Sequence, residues 1–240
     1  MKVILYIGHH KVGSTALQTF LAQNWYRLAQ AGILYPSVEA RGFSHNLASA
    51  LNGCDTRFNR DVNIREPHSA LAYRMMSEVS GRNIPSQFKN IPPSRQMFQA
   101  IRQQINHVKP KALILCSEAF ANFGQVKPAL ISRLRNQFPK AEIQIYCALR
   151  RPDDYLISWH GQRLKVGERL DPLCRGGRPP YYDPIHFNFR AVIESWSTLI
   201  PEAQLSLRSY TDILASGGSI EDFVAQSGIA FPTNLTPPQR

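Results

Sequence analysis

The chain has 240 residues, 43% of them apolar and 19% charged, with 28 Lys+Arg against 17 Asp+Glu for a net charge of +11. That size and balance fit one soluble α/β domain spanning residues 1–240, and no apolar run approaches the ~20 residues that would insert stably in a bilayer. The excess of positive charge points to an anionic partner, whether a polyphosphorylated nucleotide, an acidic substrate or nucleic acid, and charge alone does not choose among them.

Val3 to Ile7 is a continuous apolar run that meets Gly8, the pattern of a buried parallel strand. Its one positive charge and short apolar stretch are not those of a signal peptide, so the start predicts a cytoplasmic protein. Leu17, Phe20, Leu21, Trp25 and Leu28 then recur at helical spacing, and Gly32 ends that helix. Phe98, Ile101 and Ile105 predict a helix ahead of a second buried strand, Ala112 to Cys116. Leu130, Leu134 and Phe138 mark a crossover helix, and Glu142 to Leu149 reads as a third strand. Helices over 153–164 and 189–199, a short strand near 205–207 and a helix over 219–226 complete the pattern. Strands alternating with helices predict a three-layer, P-loop-like α/β fold with a central, mostly parallel sheet. The stretches 55–95 and 167–186 are rich in polar residues and breakers, and both read as substrate loops. Cys54, Cys116, Cys147 and Cys174 form no CxxC pair, which argues against a zinc site or a disulfide framework.

The turn between the first strand and first helix reads Gly8-His9-His10-Lys11-Val12-Gly13-Ser14-Thr15. A helix start here offers free backbone N–H groups and the positive end of the helix dipole. Gly13 lets the backbone approach an anion, Ser14 and Thr15 add hydroxyls, and Lys11 adds a full charge. This is not a Walker A loop, which places lysine directly after the last glycine. Here the lysine precedes Gly13 by two residues, and the strand at 113–115 runs into Cys116-Ser117-Glu118 rather than a magnesium-binding aspartate.

The loop resembles that of sulfotransferases that use 3′-phosphoadenosine 5′-phosphosulfate (PAPS). Their 5′-phosphosulfate loop reads KxG[ST][ST] after the first strand, and Lys11-Val12-Gly13-Ser14-Thr15 matches every fixed position. His9 and the run Gly32-Ile33-Leu34-Tyr35-Pro36 are similar to the bacterial branch. The resemblance implies that Arg150, at the end of the third strand, and Ser158, eight residues on, hold the 3′-phosphate. A guanidinium fork and a serine hydroxyl suit that task. It also implies that Tyr210 lies near the adenine. Ala16 stands where some members carry a stacking tryptophan, and Gly217-Gly218 lacks the Arg-Lys of the animal cytosolic branch.

The resemblance thus implies an enzyme that moves a sulfuryl group from PAPS to a hydroxyl or amine, leaving adenosine 3′,5′-bisphosphate (PAP). The acceptor is unidentified, an anionic carbohydrate being one class that the basic loops suit. Lys11 would stabilise charge on the leaving oxygen, with His10 and the 12–15 segment around the cofactor and no metal expected. The general base is sought among Glu39, His45 and Glu118, with His9, His10 and His160 behind them. Several branches of the resembling family place a catalytic carboxylate or histidine after the first helix, which implies His45 or Glu39, with Glu118 as a supporting or substrate contact. Two alternatives stand beside this reading, a P-loop nucleotide kinase or NTPase and a basic nucleic-acid-binding protein. The paired loop and Arg-Ser spacing speak against the second, so no nucleic-acid partner is expected.

Overall fold

The computed structural model describes residues 1–52, 61–88, 90–165, 167–176 and 187–237. In chain order the elements are β1 (Lys2–Tyr6), α1 (Ser14–Gln23), α2 (Trp25–Gln30), β2 (Ile33–Leu34), α3 (Ala40–Asn52), α4 (Val62–Arg65), α5 (Pro67–Ser80), α6 (Ser94–Val108) and β3 (Ala112–Cys116). A 3₁₀ turn over Glu118–Asn122 follows, then α7 (Phe123–Val126), α8 (Ala129–Arg135), β4 (Glu142–Leu149), α9 (Pro152–Lys165), a 3₁₀ turn at Leu173–Arg175, α10 (Phe189–Leu199), β5 (Gln204–Ser209), α11 (Tyr210–Ala215) and α12 (Ser219–Gln226).

The five strands form one parallel sheet in the order β2-β3-β1-β4-β5. Side chains alternate across each strand, so the sheet has two apolar faces to cover. Val3, Leu5, Leu113, Leu115, Ile143, Ile145 and Cys147 point to one face, against residues of α5, α6, α8 and α10. Ile4, Tyr6, Ile114, Cys116, Tyr146 and Ala148 point to the other, against α1, α2, α11 and α12. The chain leaves β1 toward the β2 edge, and β3 later crosses over β1 to reach β4. β1 is therefore the switch point of the topology, and a crevice opens above its C-terminal end.

Three local features depart from the sequence expectation. The stretch 55–95 is not simply a loop: residues 67–80 form the buried helix α5, with Pro67 in its first turn and Gly81 closing it at φ 67°. The helix foreseen from Leu17 to Leu28 is two helices, because the Asn24 side chain turns away to bond Thr236 through both its amide and its carbonyl. Glu39 directly precedes, and His45 lies within, a helix that was not foreseen, α3. Of the expected loop 167–186, residues 177–186 lie outside the described residues, as does Cys54.

Candidate active site

The turn after β1 is held in an unusual shape. Lys11 has φ 66° and Gly13 has φ 83°. A lysine at positive φ is uncommon and concentrates at functional turns. Gly13 is required on two counts: its conformation is left-handed, and a Cβ there would lie 2.8 Å from Ser219 Oγ. Val12 is fully buried in the core beside α1 and α12, so it pins the turn rather than lining the crevice.

Two carbonyls that would repel an anion are tied elsewhere. Lys11 O accepts a bond from Arg150 Nη1 at 2.7 Å. Gly13 O accepts from Ser219 Oγ at 3.0 Å and from the first helical amides, Ala16 at 3.1 Å and Leu17 at 3.3 Å. The amides of Ser14 and Thr15 precede those first bonds, so they have no helical acceptor. Gly13, as N-cap, has no side chain to cap them.

These groups open onto a cleft of about 640 Å³ lined by His10, Lys11, Gly13, Ser14, Thr15, Glu118, Arg150 and Tyr210, with a wall from Trp159, Gln162, Arg163 and Glu168. Every lining segment follows the C-terminal end of a strand: β1, β3, β4 or β5. Arg150 ends β4 and lays its guanidinium 4.8 Å over the Tyr210 ring. Its Nε is buried and has no hydrogen-bond partner among the described residues. Arg151, next in sequence, is exposed and pairs with Asp153 at 2.6 Å. Lys11 Nζ donates to Gln162 Oε1 at 3.2 Å.

Glu118 sits two residues beyond the end of the β3 ladder, 3.5 Å from His10 Nδ1. Burial alone would raise its carboxyl. The hydrogen bond and charge of His10, with help from the Ser14 hydroxyl, outweigh burial and hold it below the ordinary carboxylate range. The His10 ring in turn stacks on Trp159, with centroids 6.0 Å apart.

Beneath the cleft lies a buried polar chain. Gln18 of α1 donates to Ser69 Oγ and to Cys116 O, and Ser69 bonds Ser117. Fully buried His68 receives the Cys116 amide on Nδ1 at 3.1 Å, so Nε2 carries the proton and donates to Pro36 O at 3.1 Å. Burial lowers its pKa to about 3. His9 is also buried, against Phe189, and burial with the neighbouring His10 lowers it to about 4. These groups lock α1, α5 and the β3 end together and thereby fix the cleft floor.

The structure thus gathers His10, Lys11, Gly13, Ser14, Thr15, Glu118, Arg150 and Tyr210 in one cleft. Ser158 is half-buried on α9 but is not among the lining residues; its neighbour Trp159 is. Glu39 and His45 do not line the cleft either. Glu39 is half-buried, with its carboxyl raised by burial despite a hydrogen bond from Asn63. Sequence reasoning missed the α9 wall. Tyr155, Trp159 and Gln162, spaced by four and three residues, form the stripe that would have shown it.

No family model matches the chain, and no curated protein matches it by sequence. Among solved structures, it is similar to a sulfotransferase from Alicyclobacillus acidocaldarius, with a TM-score of 0.50 and 13% identity over 100% of this chain and 86% of that one. The likeness is one of fold: a parallel five-stranded sheet, flanked by helices, of the sulfotransferase type.

Proposed function

We propose that the protein is a sulfotransferase that takes its sulfuryl group from PAPS and delivers it to a hydroxyl or amine acceptor. One observation carries this reading: the Lys11–Thr15 turn and Arg150 face a common cleft at the switch point, and Arg150 braces the turn through the Lys11 carbonyl. The donor set fits the nucleotide. Open amides, two hydroxyls and a lysine at one end suit a 5′-phosphosulfate, while an arginine with a buried, unbonded Nε suits a second phosphate at the other.

When bound, PAPS supplies an activated sulfuryl group on a good leaving phosphate. The chain's own residues bind and position it. Ser14, Thr15 and the helix start hold the 5′-phosphate, and Lys11 places its charge where the leaving oxygen becomes negative. Arg150, stiffened by Tyr210, holds the 3′-phosphate. The net charge of +11 supports an anionic acceptor such as a carbohydrate.

A thermal-shift comparison tests the reading. PAP is expected to stabilise the protein without magnesium, and ATP with magnesium to do so less, because binding to the folded state raises stability by mass action. An equal shift with ATP, or a strict need for magnesium, would overturn it.

A further inference from the structure

We infer that His10, gripped by Glu118, is the general base that takes the proton from the acceptor. This rests on the sulfotransferase reading above and adds the group that reading leaves open.

The argument is geometric. His10 and Glu118 are brought together from two strands, β1 and β3, and both line the cleft beside Lys11. An ionised carboxylate is an acceptor only, so it favours the tautomer that carries the proton on the imidazole edge facing it. That edge is Nδ1, 3.5 Å from Glu118 Oε1. Nε2, on the far edge of the ring, then keeps its lone pair. The Trp159 face, 6.0 Å away at 30°, restrains the ring plane.

The other candidates fit the role less well. Glu118 turns one carboxylate oxygen toward His10. A carboxylate held below its ordinary range is a weak base at neutral pH. Glu39 and His45 lie outside the cleft lining. His9 is fully buried.

In the step, the acceptor oxygen forms a bond to sulfur as its proton passes to His10 Nε2. The bond between sulfur and the 5′-phosphate oxygen breaks, and its electron pair stays on that oxygen, next to Lys11. Glu118 remains ionised and steadies the imidazolium. His10 is thus a catalytic residue and Glu118 a positioning residue.

Two measurements on the full chain test this. The first is the tautomer of His10, read by NMR on protein carrying 15N-histidine and assigned with His10→Gln. The Nδ1–H form is expected in the wild type, and Glu118→Gln should shift it toward the Nε2–H form. The second is release of PAP from PAPS with water as acceptor, beside PAP binding by calorimetry. His10→Gln is expected to lower turnover by about 10²–10⁴-fold, while PAP affinity changes by less than about threefold. Glu118→Gln should lower turnover by about tenfold, and Glu118→Asp should recover part of it.

An Nε2–H form in the wild type overturns the assignment even if turnover with water is too slow to follow. So does full turnover in His10→Gln. If PAP still binds in either case, the sulfotransferase reading stands and only the base is wrong. If PAP does not bind the wild type, the sulfotransferase reading fails and the inference falls with it.

Discussion

Replacing Gly13 by alanine tests the phosphate turn at its tightest point. The backbone there sits at φ 83°, where an L-residue pays about 1–2 kcal/mol relative to glycine. The new Cβ would also stand 2.8 Å from Ser219 Oγ and 2.9 Å from Ser219 Cβ. Relief requires α12 to shift away from α1, and overpacking of this kind costs about 1–3 kcal/mol. The sum is about 2–5 kcal/mol. In a chain of this length each kcal/mol moves the midpoint by about 2–4 °C, so Gly13→Ala should lower it by about 4–20 °C. A double-mutant cycle with Ser219→Gly separates the two costs. The second change removes the clash but not the conformational penalty, so the cycle should show about 1–3 kcal/mol of favourable coupling. The assay is thermal or urea unfolding of the four proteins, with PAP binding measured in parallel. Unchanged stability in Gly13→Ala would refute the left-handed turn. Additivity within about 0.5 kcal/mol would refute the α1–α12 contact as its limit.

Lys11→Ala should cut turnover of PAPS far more than it cuts PAP affinity, because the amine is needed most when charge develops on the leaving oxygen; equal losses in both would refute that role. Arg150→Lys should weaken PAP binding by about 10–100-fold, since lysine keeps the charge but not the fork, the stacking on Tyr210 or the brace on Lys11 O; calorimetry showing unchanged affinity would refute it. His68 and His9 are lowered to about 3 and about 4 in the folded state, chiefly by burial, against about 6.5 when unfolded. The unfolded chain therefore binds protons first, so their contribution is present above about pH 6.5 and is lost as pH falls toward the folded values. Between pH 7.5 and pH 5 the two should together cost about 4 kcal/mol, and His68→Gln should roughly halve that slope; urea unfolding that is flat over this range would contradict the buried, neutral state of both rings.

Much of this site was legible because it depends on order and local chemistry. An apolar run, a glycine-bearing turn and a periodic helix locate β1, the Lys11–Thr15 turn and α1 without tertiary information. Arg150 was legible through the family resemblance, which implies an arginine at the end of the third strand, eight residues before a serine. The cluster of His10, Glu118 and Trp159 was not, because it is assembled by contacts distant in sequence. His10 meets Glu118 across 108 positions, and Trp159 reaches His10 only because β4 lies beside β1. The family resemblance favoured Glu39 and His45, but the chain before and within α3 places them outside the cleft lining. Helix α5 was obscured by His68, Ser69, Arg74 and Glu78. Those side chains do not mark a solvated loop: His68 and Ser69 are buried in hydrogen bonds, and Arg74 bonds the carbonyls of Ile91 and Pro92. The Pro67 start and Gly81 stop were the signals available.

The charge pattern in the cleft bears on function more directly than the net charge does. Both carboxylates in the lining are met by positive or protonatable groups: Glu118 by His10, and Glu168 by Arg163 at 2.7 Å. The two cations nearest the turn are met instead by neutral ones. Lys11 is bonded to the Gln162 amide, and Arg150 to a carbonyl and an aromatic face. Neutral partners hold these side chains in place without cancelling their charge, so the positive potential stays available to an anion. An anion entering the cleft would meet cations that are already oriented, so little reorganisation would be needed to bind it. Most of the chain's surplus charge could be lost from its surface without altering that arrangement, whereas a carboxylate in place of Gln162 would cancel it at Lys11. The functional content of a basic chain lies in which of its cations are left uncompensated by a buried anion, and at this cleft those are Lys11 and Arg150.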